Sequence, residues 1–232
     1  MKDNYHPEPY WTAVANRILQ REDNNVIAGD DEPYYRYKRK KFLKLLGSLD
    51  FSGKVVLELG PGPGGNLNFV SGRGPKRLVG ADISEQMLKL SKVNNPTGVE
   101  LVKIDGEHLP FKDDEFDLTF TATVLQHNTD EAMLRQIVGE LCRVTRKELS
   151  LFEKVESTIK GDELCLGRPV SYYEEMVKPF GFRLKEVKYI NLNVSFYVSG
   201  AIRKLLNPST RQMPKQTLSY FFFVANMIHQ PF

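Results

Sequence analysis

The sequence predicts a doubly wound α/β fold built on a mostly parallel sheet. Apolar runs of strand length alternate with amphipathic runs of helix length between residues 54 and 154, as in folds whose strands are joined by crossover helices. The first run, 55–57, is apolar without interruption, which is typical of a strand covered by helices on both faces. A glycine-rich turn follows it at once. This order predicts a ligand site at the carboxyl ends of the strands.

The predicted elements follow one another as alternating strands and helices. The core strands are 54–59, 77–82, 99–104, 116–122 and 148–154, and the core helices start near 65, at 84 and at 130, the last two ending at 93 and 144. A helix at 9–20, a polar stretch at 21–33 and a helix with a basic run precede the first strand. A helix near 172–180 and strands within 182–192 and 218–226 complete the chain.

Three sequence signals mark helix ends in the second half of the chain. Asn128 stands three residues before Glu131, and Ser171 stands three residues before Glu174. Both pairs resemble a capping box, in which the first side chain accepts from a backbone N–H of the first turn. Gly181 supplies a stop signal for the later helix.

The segment VVLELGPGPGGNL, residues 55–67, indicates a nucleotide-type cofactor. Glycines let a backbone turn tightly and approach a ligand closely. Gly60, Gly62 and Gly65 satisfy the dinucleotide pattern G-x-G-x-x-G, and Asp82 lies 22 positions after Gly60, where an acid for the ribose is expected. The pattern alone therefore leaves NAD open.

Glu58 favours a cationic cofactor over a dinucleotide. It sits two residues before Gly60, at the carboxyl end of the first strand. At ~4 Å and an effective dielectric constant of ~20, a carboxylate and a pyrophosphate oxygen repel by roughly 4 kcal/mol. S-adenosylmethionine carries sulfonium and ammonium groups and no phosphate, so this position favours it.

The segment resembles the class I S-adenosylmethionine-dependent methyltransferases, of the type that acts on small molecules. Their first motif is an acid followed by G-x-G-x-G, here Glu58 with Gly60, Gly62 and Gly64. The likeness covers residues 40–155 well and the flanks loosely. It implies a Rossmann-like methyltransferase fold with seven strands, the last one antiparallel.

The resemblance also implies which other residues hold the cofactor. Asp82, with Ile83, ends the second strand, where the family's acid accepts hydrogen bonds from both ribose hydroxyls. The stretch VELVKIDGEHLPF is similar to the family's D-x-x-x-L-P-F motif and places Asp105, Gly106 and Glu107 along the adenine. Thr121, on the fourth strand, is the remaining predicted cofactor contact.

Methyl transfer needs alignment of the acceptor and, for an alcohol or ammonium, removal of a proton. His127 follows the fourth strand and titrates near neutral pH, so it is the first candidate base. Glu153, at the end of the fifth strand, is the second. A structural or cofactor-lining role is the alternative for His127.

The predicted organisation is a helical cap segment at 1–46 and a cofactor-binding methyltransferase domain at 47–232, with an insertion at about 193–216. The cap and the insertion are expected to cover the substrate pocket, or to be surface additions. Aromatic residues are frequent before the first strand, where they would either contact a ligand or pack in the core. They are Tyr5, Tyr10, Trp11, Tyr34, Tyr35 and Tyr37.

Composition excludes several other classes. A net charge of +3 on 232 residues is too small to indicate nucleic-acid binding. The basic run, with cations at 36 and 38–41, is interpreted as the solvated side of a helix. Cys142 and Cys165 lack the spacing of metal ligands, and no metal is expected. No apolar run reaches the ~18 residues of a membrane span, so we expect a cytoplasmic protein.

The predicted function is S-adenosylmethionine-dependent methyl transfer to an oxygen or nitrogen of a small molecule. The alternatives are an RNA-directed methyltransferase, an NAD-dependent oxidoreductase and a non-catalytic protein that binds S-adenosylmethionine. The sequence does not identify the acceptor, because the same scaffold serves many acceptors.

Overall fold

The computed structural model describes residues 7–21, 33–192 and 219–228. Within these ranges, seven strands form one sheet and two short strands form a separate ladder. The sheet strands are β1 Val55–Leu59, β2 Arg77–Asp82, β3 Val99–Lys103, β4 Phe116–Ala122, β5 Thr145–Lys154, β8 Phe182–Asn191 and β9 Ser219–Met227. The ladder strands are β6 Lys160–Gly161 and β7 Leu166–Gly167. The predicted insertion at 193–216 and Tyr5 lie outside the described residues.

The described helices agree with the predicted order. They are α1 Pro7–Leu19, α2 Pro33–Leu46, α3 Gly65–Ser71, α4 Glu85–Asn94, α5 Glu131–Val144 and α6 Val170–Val177, with 3₁₀ turns at Leu125–His127 and Lys178–Phe180. None of these helices is both long enough and apolar enough to cross a bilayer.

The strand order is β3-β2-β1-β4-β5-β9-β8. β1 pairs in parallel with both β2 and β4, whereas β9 lies between β5 and β8 and is antiparallel to both. The chain therefore changes direction across the sheet between β1 and β4. The crevice at the carboxyl ends of these two strands is the topological switch point, where ligands bind in such folds. The predicted doubly wound sheet, with its last strand antiparallel, is confirmed.

Apolar side chains cover both faces of the sheet. Leu57 and Phe221 belong to one cluster, which includes residues of α5 and α6, and the adjacent Val56 and Phe222 belong to the other, which includes residues of α2 and α3. Successive strand residues point to opposite faces, so strands buried on both sides are apolar at every position. A third cluster joins α1 to α4.

The predicted N-cap residues of two helices are wrong. Asp130, not Asn128, is the N-cap of α5, and its carboxylate accepts from the backbone nitrogens of Ala132 and Met133 at 2.9 and 3.0 Å. A carboxylate at this position also complements the positive end of the helix. Ser171 lies inside α6, which begins directly after Pro169. The stop signal at Gly181 is confirmed, since this residue is left-handed with φ 85°.

Candidate functional site

A cavity of about 490 Å³ opens at the carboxyl ends of β1, β2 and β4. A smaller cavity of about 100 Å³ adjoins it beside the glycine turn and shares several lining residues. The larger cavity has two chemically distinct ends. The glycine end is lined by Gly60, Gly62, Asp82, Ile83 and Gly106, and the lysine end by Lys38, His127, Lys154, Cys165 and Tyr220.

Backbone geometry explains the glycine end. Gly60 and Gly62 have φ of 67° and 52°, which residues with a Cβ atom adopt at a cost. A Cβ atom on Gly60 would lie 2.5 Å from the side chain of Val124. The Gly60 N–H donates to Ala81 O at 2.8 Å, which ties the turn to β2. The turn is thus fixed, and its glycines leave room for a ligand.

Asp82 occupies the predicted position at the end of β2. Its carboxylate accepts from the backbone nitrogens of Ser84 at 2.9 Å and Gly62 at 3.1 Å. Burial raises the pKa of this carboxyl group to about 6, although the same hydrogen bonds oppose the rise. The carboxylate faces the cavity and has further acceptor capacity for ligand hydroxyls.

Glu58 lies behind the glycine turn and outside the cavity lining. Its side chain is fully buried, Oε1 accepts from Asn66 Nδ2 at 2.8 Å, and Oε2 has no partner among the described residues. Burial raises the pKa of Glu58 to about 8. The expectation of a fixed negative charge here is therefore wrong for the protein alone, because at neutral pH the protonated form is favoured.

Four other predicted cofactor residues also lie outside the cavity lining, namely Gly64, Asp105, Glu107 and Thr121. Gly64 begins α3 and faces Ser91 and Asn95 of the α4 segment. Asp105 and Glu107 are exposed, while Gly106 between them lines the cavity.

Asp105 is occupied by its own turn. Its carboxylate accepts from the backbone nitrogens of His108 and Glu107 at 2.7 and 2.8 Å. These hydrogen bonds lower its pKa to about 2. They shape the loop that carries Gly106 to the cavity.

His127 reaches the lysine end from the 3₁₀ turn after β4. Its Nδ1 lies 2.7 Å from Leu164 O, and a carbonyl only accepts, so Nδ1 carries the proton. Its Nε2 is then the acceptor and faces the amide nitrogen of Gln126 at 3.2 Å. Burial lowers the pKa of His127 to about 4. The imidazole is neutral at physiological pH, and its lone pair already has a partner.

Glu153 and Arg168 hold the segment that carries His127. Glu153 is buried and does not line the cavity. Its carboxylate accepts from the Thr121 hydroxyl at 2.9 Å and from three successive backbone nitrogens. Those nitrogens belong to Val124, Leu125 and Gln126. Thr121, predicted as a cofactor contact, is likewise turned away from the cavity.

Arg168 acts on the opposite side of the same segment. Its guanidinium donates to Leu125 O at 3.0 Å and to Asn128 O at 2.6 Å. The buried Glu153 carboxylate therefore holds the N–H groups of this segment, and the buried Arg168 guanidinium holds its carbonyl groups. No pattern in the sequence marks Arg168, because its partners are backbone atoms 40 and 43 residues away.

The interpretation of the basic run as a solvated face is wrong for two of its members. Lys38 lines both cavities, and Arg39 lines the smaller one and donates to Gly65 O at 2.9 Å. Lys38 lies three residues after Tyr35 and four before the buried Phe42, which places all three on one face of α2. That helical spacing is the signal that identifies Lys38 from sequence.

The aromatic residues before β1 divide between cavity and surface. Tyr10, Trp11 and Tyr35 line the larger cavity, and the Trp11 ring meets His127 edge-on with centroids 5.0 Å apart. Tyr37 is 40% exposed and lines neither cavity. The side chain of Tyr34 lies outside the described residues.

The glycine end fits S-adenosylmethionine. Gly60 and Gly62 line the space above the turn, and Asp82 offers acceptor oxygens. Glu58 retains a buried oxygen that has no partner in the described part of the chain. A buried acceptor without a hydrogen bond destabilises the folded state, and a donor group of a ligand removes that free-energy penalty. Among the described residues, no group of three histidine, cysteine, aspartate or glutamate side chains is arranged to hold a metal ion.

Comparison with known proteins finds similarity to methyltransferases. Residues 56–148 match a family model described as a methyltransferase domain. The chain is 31% identical over 143 residues to a demethylmenaquinone methyltransferase of Thermobifida fusca, covering 58% of this chain and 56% of that protein. It is 30% identical over 122 residues to a phthiotriol/phenolphthiotriol dimycocerosates methyltransferase of Mycobacterium tuberculosis, covering 52% and 44%.

The chain thus spans about half the length of these relatives. A solved S-adenosylmethionine-dependent methyltransferase of Mesorhizobium loti has a similar fold, with a TM-score of 0.58 and 16% sequence identity. The superposition covers 80% of this chain and 96% of that one.

Proposed function

We propose that this chain is a class I S-adenosylmethionine-dependent methyltransferase and that it transfers a methyl group to an oxygen or nitrogen of a small molecule. The observation that carries the proposal is the cavity itself. Its glycine end, with Asp82 at the end of β2, continues directly into a lysine end with different chemistry. A cofactor and an acceptor would therefore lie in one continuous space, which is what direct transfer requires.

The residues of the glycine end have separate tasks in this proposal. Asp82 accepts the ribose hydroxyls, because its carboxylate faces the cavity and is already oriented by two backbone N–H groups. Ile83 and Gly106 form the apolar slot for the adenine, since a Cβ atom on Gly106 would lie 2.8 Å from Ile83 Cδ1. Glu58 keeps its proposed role toward the cofactor's ammonium group through Oε2, which has no partner among the described residues, although its side chain lies behind the turn and outside the lining of the larger cavity.

When bound, the cofactor supplies an electrophilic methyl carbon, to which an acceptor lone pair forms a bond as the carbon–sulfur bond breaks and its electron pair returns to sulfur. The chain must align the acceptor, exclude water and dispose of any proton the acceptor carries. His127 lines the lysine end, and its Nε2 is the proposed proton acceptor for any acceptor that binds with its proton still in place. Its lowered pKa makes it a weak base, which suits an acidic acceptor.

We assign Glu153 and Thr121 to positioning rather than to contact with the reactants. The Glu153 carboxylate accepts its hydrogen bonds from the segment after β4 and from Thr121. Burial raises the pKa of Glu153 while these donors oppose the rise. A carboxylate so occupied holds a loop and does not collect a proton from a substrate.

A small acceptor is favoured because the lining residues from α1, α2 and the β6–β7 hairpin surround the space next to His127. An RNA acceptor remains the second candidate, and salt-sensitive binding to polyanions would favour it. The division into a cap at 1–46 and a domain at 47–232 also remains a proposal, as does a cytoplasmic location.

Binding of S-adenosylhomocysteine tests the cofactor half of the proposal. At a ligand concentration of ~100 times the dissociation constant, the folded state gains roughly 2.7 kcal/mol, so the melting temperature rises. Asp82→Ala should weaken binding by about 1–3 kcal/mol, because ribose hydroxyls lose their acceptor. Asp50→Ala is the control, since Asp50 is exposed and outside both cavities.

Neither heat of binding nor a thermal shift, in protein freed of co-purified ligand, would contradict the proposal. A non-catalytic binding protein would bind the ligand and methylate no acceptor in a panel of alcohols, phenols, acids and amines.

A further inference from the structure

Two ammonium groups line the lysine end, and neither has an anionic partner among the described residues. Lys38 reaches it from α2 and Lys154 from the end of β5. No carboxylate of the described residues lies within salt-bridge distance of either nitrogen. Both charges act on His127 and on Cys165, so the two lysines face the same space. A pair of like charges in one cavity disfavours a cationic ligand and favours an anionic one.

Lys38 is held in place by aromatic rings. Its Nζ lies 4.5 Å from the centroid of the Tyr220 ring and 5.0 Å from that of Tyr35. Tyr220 is the antiparallel register partner of Lys154, which brings the second ammonium to the same region. Aromatic faces attract a cation without neutralising it. The positive charge of Lys38 therefore remains available to a ligand.

The glycine end has its own cation beside the turn. Arg39 lines only the smaller cavity, donates to Gly65 O and acts electrostatically on Glu58. Lys38, the preceding residue on α2, lines both cavities and extends to Tyr220. An anionic group at the methionine end of a cofactor thus has Arg39 nearby, while Lys38 and Lys154 face the acceptor space.

We propose that the lysine end binds an aromatic hydroxyl compound as its oxygen anion, with Lys38 and Lys154 as the countercharges. The inference rests on the proposed function and narrows its acceptor from oxygen or nitrogen to an acidic oxygen. Trp11, Tyr35 and Tyr220 supply aromatic surface for a flat ring. The hydroxyl proton leaves to solvent on binding, and the oxygen keeps the lone pair that forms the new bond to carbon.

A phenol-type acceptor suits this site, because the two candidate bases in it are weak. The Nε2 of His127 already faces the Gln126 amide, and Glu153 is filled by backbone donors. An aliphatic alcohol would need a stronger base than either. A phenol-type hydroxyl ionises far more readily, and two adjacent ammonium groups lower its pKa further.

The test uses 4-nitrophenol, whose anion is yellow and whose neutral form is colourless, added to the full chain saturated with S-adenosylhomocysteine. At about pH 6 the free compound is mostly neutral, so a yellow bound form reports ionisation in the site. We expect Lys38→Met to lose the yellow band and to weaken binding at least about tenfold. Lys41→Met is the matched control, because Lys41 lies on the same helix, is exposed and lines neither cavity. Lys38→Arg should restore the band.

A comparison on the unaltered protein covers the case in which Lys38→Met does not fold. Benzoate and benzylamine have similar size and opposite charge, and benzoate should displace 4-nitrophenol at least about tenfold more effectively.

Several outcomes would overturn the inference. They are no saturable binding of 4-nitrophenol, binding in the neutral form, a yellow band unchanged by Lys38→Met, and equal displacement by benzylamine. Weaker S-adenosylhomocysteine binding by Lys38→Met, with nitrophenol ionisation unchanged, would assign Lys38 to the cofactor instead. Failure of S-adenosylhomocysteine to bind the unaltered chain would instead remove the proposed function itself.

Discussion

The two ends of the cavity are built in different ways. The glycine end uses backbone amides and short side chains from consecutive β-strand and turn segments, between residues 60 and 106. The lysine end brings together residues from α2, the 3₁₀ turn, β5, the β6–β7 hairpin and β9. A backbone-built end tolerates little change in shape, whereas an end built from distant side chains can change its chemistry one residue at a time. Cofactor affinity should therefore be sensitive to small changes in backbone shape. The choice of acceptor should depend on single side chains.

The largest effect is expected from Gly60→Ala. The added methyl group would lie 2.5 Å from Val124 Cγ2 and would also strain a residue with φ 67°. We expect S-adenosylhomocysteine affinity to fall by about a hundredfold or more, because the glycine turn and the loop that carries Val124 must move apart. That movement changes the shape of the cofactor space. Isothermal calorimetry measures the loss.

Gly74→Ala separates strain from shape in that experiment. Gly74 has φ 68°, and a Cβ atom there meets nothing within 4 Å. Gly74→Ala should lower the melting temperature through backbone strain alone. It should leave the affinity for S-adenosylhomocysteine unchanged. Equal affinity loss in both variants would mean that backbone strain, and not the shape of the glycine end, controls binding.

Glu153→Gln tests whether the lysine end depends on its support. An amide accepts through one oxygen only, so some of the four donors now directed at the carboxylate lose their acceptor. We expect the free energy of unfolding to fall by about 1–3 kcal/mol, measured by urea denaturation. Turnover should fall without a change in the shape of its pH profile, since the residue positions and does not titrate. Loss of one limb of that profile would restore Glu153 as a base.

How far the sequence predicts the molecule follows the same division. The strands, the doubly wound class and the glycine end are predictable, because strand periodicity and the glycine turn are local signals. Arg168 and Tyr220 are not, because their contacts with the site are made only when distant segments fold together. Asp105 carries the expected motif, yet its carboxylate serves its own turn. A motif places a residue in the chain but does not fix the direction of its side chain.

The two ends should also respond to pH in opposite directions. Burial raises the pKa of Asp82 to about 6, and the ribose hydroxyls donate to its ionised form. Cofactor affinity should be complete above this value and fall about tenfold per unit as the pH drops below it. Calorimetry with S-adenosylhomocysteine across this range checks the first limb.

Burial lowers the pKa of Lys38 to about 8, while Cys165 and Glu153 oppose the shift. Only the protonated form of Lys38 attracts an anion, so the affinity for the 4-nitrophenol anion should decline above about pH 8. Spectroscopic titration with 4-nitrophenol, whose anion persists at the higher pH, checks this second limb. Parallel loss of both ligands at the same pH would mean that the ends titrate as one unit.

The smallest effect is expected from His127→Ala. A general base is typically worth about 10² to 10⁴ in rate, but burial lowers the pKa of His127 to about 4 and Gln126 occupies its lone pair. If the acceptor arrives as an anion, the substitution should reduce turnover by only about tenfold or less, through lost packing against Trp11. S-adenosylhomocysteine affinity should stay unchanged. Steady-state kinetics measures the turnover of His127→Ala with a phenol and with an aliphatic alcohol as the acceptor. A loss of a hundredfold or more with the phenol would show that His127 removes the proton and that the lysines alone do not ionise the acceptor.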